Sequence, residues 1–444
     1  MKISLPEKVN KIIETLNDAG FEAFAVGGCI RDSLLGREPE DWDITTSASP
    51  QEVKELFPRT VDTGILHGTV TVMIGKEAFE VTTYRIDGEY ENSRHPKSVI
   101  FTDNLVEDLK RRDFTINAMA YNEQTGLVDV FEGVHDLTHK LIRCVGNARE
   151  RFSEDALRIL RAIRFSAQLG YDIEEGTQDA IKAQAIDLSK ISAERIRTEL
   201  IKLIISEHPE KLMVAYDAHV TATILPEFDK MMKTPQNNPH HRYNVGEHTI
   251  KAICYCEPDK ILRLALLFHD IGKIECRTTD IDKIDHFYHH ASHSYEITKG
   301  IMKRLKFDNE TMRFVLKLVK YHDINIGQSS ADVRKAIYEV GEDIFPLLLK
   351  VKEADMMAQS ELRRKQKEEI LRNIKKTYHQ ILERQDCISL KTLAVSGADL
   401  IQAGRKPGKE IGVLLETILK LVLEHPDWNQ KEYLLNLISQ EEIH

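Results

Sequence analysis

The chain alternates between two hydrophobic rhythms. MKISLPEKVNKIIETL repeats apolar residues at helical spacing among charges and predicts a helix ending at Gly20. FEAFAVGG predicts a short apolar strand running into a glycine turn. CIRDSLLG then predicts a helix and, after a polar loop, WDITT a second strand. HGTVTVMIG and EAFEVTTYR are rich in β-branched residues and flank a GKE turn, which is the pattern of a β-hairpin. From residue 146 to about 230 the period is helical. LPEFDKMMKTPQNNPHHRYNVGEH breaks it with Pro, Asn and His. A second helical stretch, 240–358, is marked by histidines. The charged helix ELRRKQKEEILRNIKKTYHQILERQ follows, then turns at Gly397, Gly404, Pro407 and Gly408 and a last helix, EIGVLLETILKLVLEH. The expected architecture is α+β: a head over 1–145, then helical segments over 146–230, 240–358 and 359–444. There is no internal repeat.

Composition narrows this picture. A chain of 444 residues exceeds one hydrophobic core, so several domains are expected. With 42% hydrophobic and 30% charged residues it reads as soluble and globular. The most apolar run, ILRLALLFHDIG, falls short of the roughly 20 residues that span a bilayer. The charged first residues do not read as a signal sequence. Six cysteines without CxxC pairs fit a reducing cytoplasm, so a cytoplasmic protein with no membrane partner is expected. A net charge of −10 argues against a surface devoted to nucleic acid. RNA contact needs only local basic patches, and LKRR and the arginines between 151 and 164 supply them.

The densest chemistry lies in VGGCIRDSLLGREPEDWDITTS. Asp41 and Asp43 are two apart on a predicted strand, so their carboxylates point the same way. Paired carboxylates suit Mg2+, and two such ions about 4 Å apart activate a hydroxyl and stabilise a leaving pyrophosphate. Gly27 and Gly28 lie between strand and helix, where backbone N–H groups can approach a triphosphate. Arg31, one turn on, adds a guanidinium. The bland alternative is a surface DxD on a plain strand-turn-helix. GGxxRD, LG and DxD in one short string are more specific.

On these motifs the chain resembles the nucleotidyltransferase superfamily of DNA polymerase β. In detail it resembles bacterial class II CCA-adding tRNA nucleotidyltransferases and their poly(A) polymerase relatives, over nearly its whole length. The resemblance implies a polymerase β-like mixed-sheet head followed by helical neck, body, HD and tail domains. It implies template-independent addition of CCA to tRNA from CTP and ATP, with Mg2+. A poly(A) polymerase or A-adding enzyme is the near alternative. An HD phosphohydrolase with a nucleotide-sensing head is the distant one.

Further motifs take roles from the same resemblance. Glu80, on FEVTTYR, reads as a third carboxylate or as an edge-strand glutamate. The polar stretch 84–101 resembles the flexible loop that helps the switch from C to A. In EDLKRRDFTINAMAY, Arg112 is the likelier nucleotide contact of the Arg111–Arg112 pair. Asp113, supported by Asn117, suits a ribose hydroxyl or a helix N-cap.

In RERFSEDALRILRAIRFSAQLG, Asp155 and Arg158 are i and i+3 on one predicted helix face, and Arg161 and Arg164 continue the row. Arg donors with Asp acceptors match the edges of cytosine and adenine. The EDxxR motif carries that role in the family. A solvated polar face is the alternative.

HHRYNVGEHT, LLFHDIGK, FYHHASHS, YHD and VKEADMMAQ form another group. Imidazoles with carboxylates suit a transition metal. The pattern resembles the HD phosphohydrolases. His248, His269, Asp270 and Asp355 match the basic ligands, and His290 and His322 match the extra histidines of two-metal members. His289 and His293 remain open as substitutes. An inactive structural HD unit is the alternative. The tail resembles the part that holds the tRNA acceptor and T arms. Oligomeric state is not legible.

Overall fold

The computed structural model describes residues 2–88, 90–91, 95–96 and 99–439. The chain forms two compact units, Met1–Pro226 and Glu227–His444.

In the first unit, α1 (Glu7–Asp18) buries Val9, Ile12, Ile13 and Leu16, a helical apolar stripe, and stops before Gly20 at φ 90°. The strands β1 (Ala23–Val26), β2 (Ile44–Thr46), β3 (Thr60–Gly64), β4 (Thr69–Ile74) and β5 (Glu77–Thr83) join Ala120–Asn122 and Gly126–Val128 in one sheet. Its order is Gly126–Val128, Ala120–Asn122, β1, β2, β5, β4, β3. The pairing of β2 with β5 is parallel and the other pairings are antiparallel. The expected β4–β5 hairpin forms, with Gly75 at φ 67° in its turn. Helix α2 (Gly28–Leu34) follows the glycine turn. Helix α3 (Pro50–Leu56) starts at a Ser49–Glu52 capping box, which turns the chain sharply out of β2. Helix α4 (Leu105–Lys110) buries Leu105 and Leu109 against Phe24, Val26 and Ala120.

Three expectations change. The strand predicted over WDITT begins only at Ile44, so Asp41 and Asp43 lie on the run into it. Asp43 is still tied to β1, because its carbonyl accepts the Val26 N–H at 2.9 Å. The polar stretch 84–101 is a loop with a paired base: Arg85–Asp87 runs antiparallel to Val99–Phe101, and Tyr90–Glu91 to His95–Pro96. Residues 89, 92–94 and 97–98 of that stretch lie outside the described residues.

The third change concerns the helix after the head. Past α5 (Gly133–His139), the predicted single helix is two, α6 (Ala148–Glu154) and α7 (Leu157–Leu169). Asp155 sits between them in extended backbone and its side chain accepts the Leu157 N–H. That local bond competes with helix continuation. The helices α8 (Glu175–Gln184) and α9 (Ala193–Ile204) follow, and two short ones, Leu212–Asp217 and Val220–Ile224, end this part. A parallel pair of two-residue strands, Leu141–Ile142 and Asp172–Ile173, precedes α8.

The second unit is mostly helical. Val245–Cys254, Lys260–Phe268, His290–Arg304, Asn309–Tyr321 and Phe345–Ala358 carry the histidine-rich motifs. The predicted charged helix spans Arg364–Glu383. Beyond it, Leu400, Ile418, Leu419, Val422 and Leu434 form a separate apolar cluster.

Candidate active site

The first site follows from strand register. Ile44 lies beside Val81 and Thr45 beside Thr82 in the parallel pair. Continued one residue earlier, that register brings Asp43 beside Glu80, close enough for the Asp43 and Asp41 charges to act on it. All three residues keep exposed surface, yet the surrounding protein strips part of the water from the Asp43 and Glu80 carboxylates and the three repel one another. Burial raises the Glu80 pKa, and the Asp43 and Asp41 charges raise it further. Burial also raises Asp43; the Arg112 guanidinium opposes this and Asp41 adds to it. Oxygen donors that repel one another in this way fit a hard divalent cation such as Mg2+.

Asp41 and Asp43, though not Glu80, line a cleft of about 700 Å³ whose walls also include Gly28, Arg31, Arg164 and Phe165. Gly27 holds φ 86° and ψ −131°, a backbone state that side chains oppose. A Cβ there would stand 3.1 Å from Arg112 Nη1, so Arg112 lies directly over the glycine turn. Arg31 is held by Asp32 at 2.9 Å and donates to Asn117 Oδ1 at 2.7 Å.

Asn117 also donates to Asp113 at 3.1 Å, and Arg161 Nε donates to Asp113 at 2.7 Å. Burial would raise the Asp113 carboxyl, but Arg161 and the Asn117 hydrogen bond hold it at about 2. Asp113 therefore stays ionised. It is not a helix N-cap, since the short turn Thr115–Asn117 is preceded by Phe114.

The predicted row of Asp155, Arg158, Arg161 and Arg164 is not one helix face. Asp155 stands in the α6–α7 break and is bound by Arg195 at 2.7 Å. Arg158 is buried and donates to Glu154 at 2.5 Å and to the carbonyls of Arg151 and Arg111. Arg164 contacts Glu199 at 2.9 Å and lies 4.1 Å over the Phe165 ring; burial pushes its pKa down to about 10. Arg31 and Arg161 approach the same ring at 5.1 and 5.5 Å. Sequence reading missed Phe165, whose apolar character placed it off the polar row.

The second unit brings six predicted ligands together. His248, His269 and Asp270 form one group that could hold a metal ion, and Asp270, His290 and His322 form another. Asp355 joins the first, 2.9 Å from His248 Nε2. Asp270 Oδ2 faces His248 and His269 at 3.5 and 3.3 Å, while Oδ1 faces His290 and His322 at 3.4 and 3.6 Å. Three rings are fixed from behind: Nδ1 of His269, His290 and His322 lies 2.7, 2.9 and 2.7 Å from the carbonyls of Leu266, Phe287 and Val319. That bond places a proton on Nδ1 and leaves Nε2 as the inward donor.

His290 Nε2 and His322 Nε2 then face each other at 3.0 Å, and buried His269 Nε2 has no aligned hydrogen-bond partner. Facing lone pairs and an orphaned nitrogen fit a cation bound between them. Burial would lower the His269 pKa, but Asp270 and Asp355 reverse this and push it up to about 10. Of the histidines left open, His293 pairs with Glu275, and His289 lines the same cavity as His290 without joining either ligand group among the described residues.

The mixed sheet with three converging carboxylates defines the class, a nucleotidyltransferase with a polymerase-type head. Residues 23–143 match the poly A polymerase head domain. Residues 170–232 match the probable RNA and SrmB-binding site of polymerase A, and residues 277–438 a putative tRNA nucleotidyltransferase domain 2. A CCA-adding enzyme of Lactobacillus helveticus is 36% identical over 94% of this chain and 92% of its own. One of Oceanobacillus iheyensis is 52% identical over 46% of this chain and 51% of its own. The Bacillus stearothermophilus CCA-adding enzyme, solved with CTP, superposes at a TM-score of 0.73. It is 27% identical, over 98% of this chain and 97% of that one. The Thermotoga maritima CCA-adding enzyme, solved with tRNA, shares the fold at a TM-score of 0.56 and 21% identity, over 99% of this chain and 100% of that one. The chain belongs to the CCA-adding enzyme family.

Proposed function

We propose that this protein completes tRNA 3′ ends in the cytoplasm, adding C, C and A from CTP and ATP without a nucleic-acid template. The observation that carries the site assignment is the parallel register that sets Glu80 beside Asp43. Asp41, Asp43 and Glu80 hold Mg2+, which supplies Lewis acidity for a 3′-hydroxyl and charge neutralisation for pyrophosphate. Gly28 offers its backbone N–H to the triphosphate, while the Gly27 N–H is bonded to the Met119 carbonyl at 3.1 Å and Gly27 serves the turn; Arg31 and Arg112 are the guanidinium partners. Asp113, kept ionised, accepts from a ribose hydroxyl.

Asp155 and Arg158 select the base, and Arg161 and Arg164 complete that wall. A protein template needs donors and acceptors that stay still. Arg195 pairs with Asp155 and Glu154 with Arg158, so a base would have to share or displace those partners. The test is tRNA lacking CCA, supplied with labelled CTP and then ATP. Incorporation of both supports the reading; A without C favours the poly(A) polymerase or A-adding alternative, and incorporation of neither leaves the hydrolase.

A second reading rests on the facing Nε2 atoms of His290 and His322. On it the histidine centre holds a transition metal and hydrolyses a phosphomonoester or cyclic phosphodiester. Loading the protein with Mn2+, Ni2+ or Zn2+ and assaying such esters tests it; no turnover with a loaded site would leave a structural centre.

A further inference from the structure

Asp108 is a buried carboxylate with no assigned role. It is 0% exposed and lies on α4, away from the cleft lining. Arg111 donates to its Oδ1 through Nε at 2.9 Å and Nη2 at 2.7 Å. Its Oδ2 takes the Thr45 hydroxyl at 3.1 Å and approaches Arg112 Nη2 at 3.5 Å. Thr45 is two residues after Asp43, on the same face of the strand run. Thr82, beside it in the register, is likewise two residues after Glu80. Asp108 therefore sits one step behind the carboxylate group, bonded both to the strand that carries it and to the arginine that lies over Gly27.

Two unpaired arginines behind the cleft would be free to swing toward its acidic mouth. A buried carboxylate accepting from both prevents that, since removing it leaves the guanidiniums without a fixed partner. Burial alone would raise the Asp108 pKa, but Arg112 and Arg111 hold it below the ordinary carboxylate value, so it remains an anion.

We propose that Asp108 is a positioning residue for nucleotide addition: it fixes Arg112 over the glycine turn and thereby sets where the nucleotide's phosphates meet Asp41, Asp43 and Glu80. This rests on the nucleotidyl-transfer reading above. It assigns Asp108 no contact with the substrate.

The test compares wild type, Asp108→Asn, Arg112→Ala and the double variant by steady-state CTP incorporation into tRNA lacking CCA. Asp108→Asn is expected to raise KM for CTP about tenfold and leave KM for tRNA unchanged. The double variant is expected to be no worse than Arg112→Ala alone. Thr45→Val keeps the shape of the site and removes one bond to Asp108. It is expected to raise KM for CTP about threefold, and it covers the case in which Asp108→Asn does not fold. An unchanged KM for CTP in Thr45→Val and Asp108→Asn, or additive effects in the double variant, overturns the proposal. If wild type itself adds no nucleotide, the transfer reading fails instead.

Discussion

The two acidic centres solve opposite problems. The carboxylates of the first unit lie exposed at the mouth of a cleft, offer only oxygen, and face a wall of guanidiniums. The candidate ligands of the second are deeper, with His248 at 1%, His269 at 0% and Asp270 at 2% exposure, while His290 and Asp355 border a cavity of about 380 Å³, and they mix nitrogen with oxygen. An open oxygen site suits an ion that arrives and leaves with a charged substrate. A buried site with ring tautomers set from behind suits a resident ion.

The largest expected effect removes the open centre. Asp43→Ala should lower the rate of CTP incorporation by about 10³-fold or more, while metal bound by the histidine centre, measured by elemental analysis, stays constant. A parallel loss of that metal would break the contrast. The buried centre should respond in stability. Asp270→Ala leaves His269 and Lys273 without the carboxylate between them and should cost about 3–5 kcal/mol in denaturant unfolding, along with the bound metal.

A smaller effect tests the packing behind the site. A Cβ on Gly272 would stand 2.3 Å from the His290 carbonyl oxygen and 2.4 Å from the Ser294 amide, so Gly272→Ala must displace the helix that begins at His290. Metal affinity should fall about 10- to 100-fold, read by competition with a chelator. The smallest effect is a proton count. With His269 pushed up to about 10, its imidazole is charged at pH 7 in the metal-free protein, and a bound ion must displace that proton. Calorimetry in buffers of different ionisation enthalpy should report about one proton released per ion, with affinity falling as pH drops. Zero release would show that the ion does not use His269.

What was legible divides along the same line. Strand-turn-helix, hairpin and helical segments were readable because their periods are local. The six residues that gather at the histidine centre could be named from motif spacing, but the preference for His290 over His289 and His293 could not. It depends on a left-handed residue at 289 and on Glu275, a distant partner. Glu80 stood between two readings until the parallel pairing, which links residues 37 apart, set it beside Asp43. The helix through 155–164 was misread because Asp155 breaks it, and Arg195, forty residues on, holds the break in place. Asp108 went unnoticed although an acid three and four residues before two arginines is a local signal.

The carbonyls behind His269, His290 and His322 carry one further consequence. Rings clamped by the main chain cannot splay to follow a larger ion or close around a smaller one without moving the helices themselves. A cation held there would be selected by radius as well as by donor type. The cage also retains its geometry when emptied, so the centre should cycle between empty and filled states without the chain having to refold.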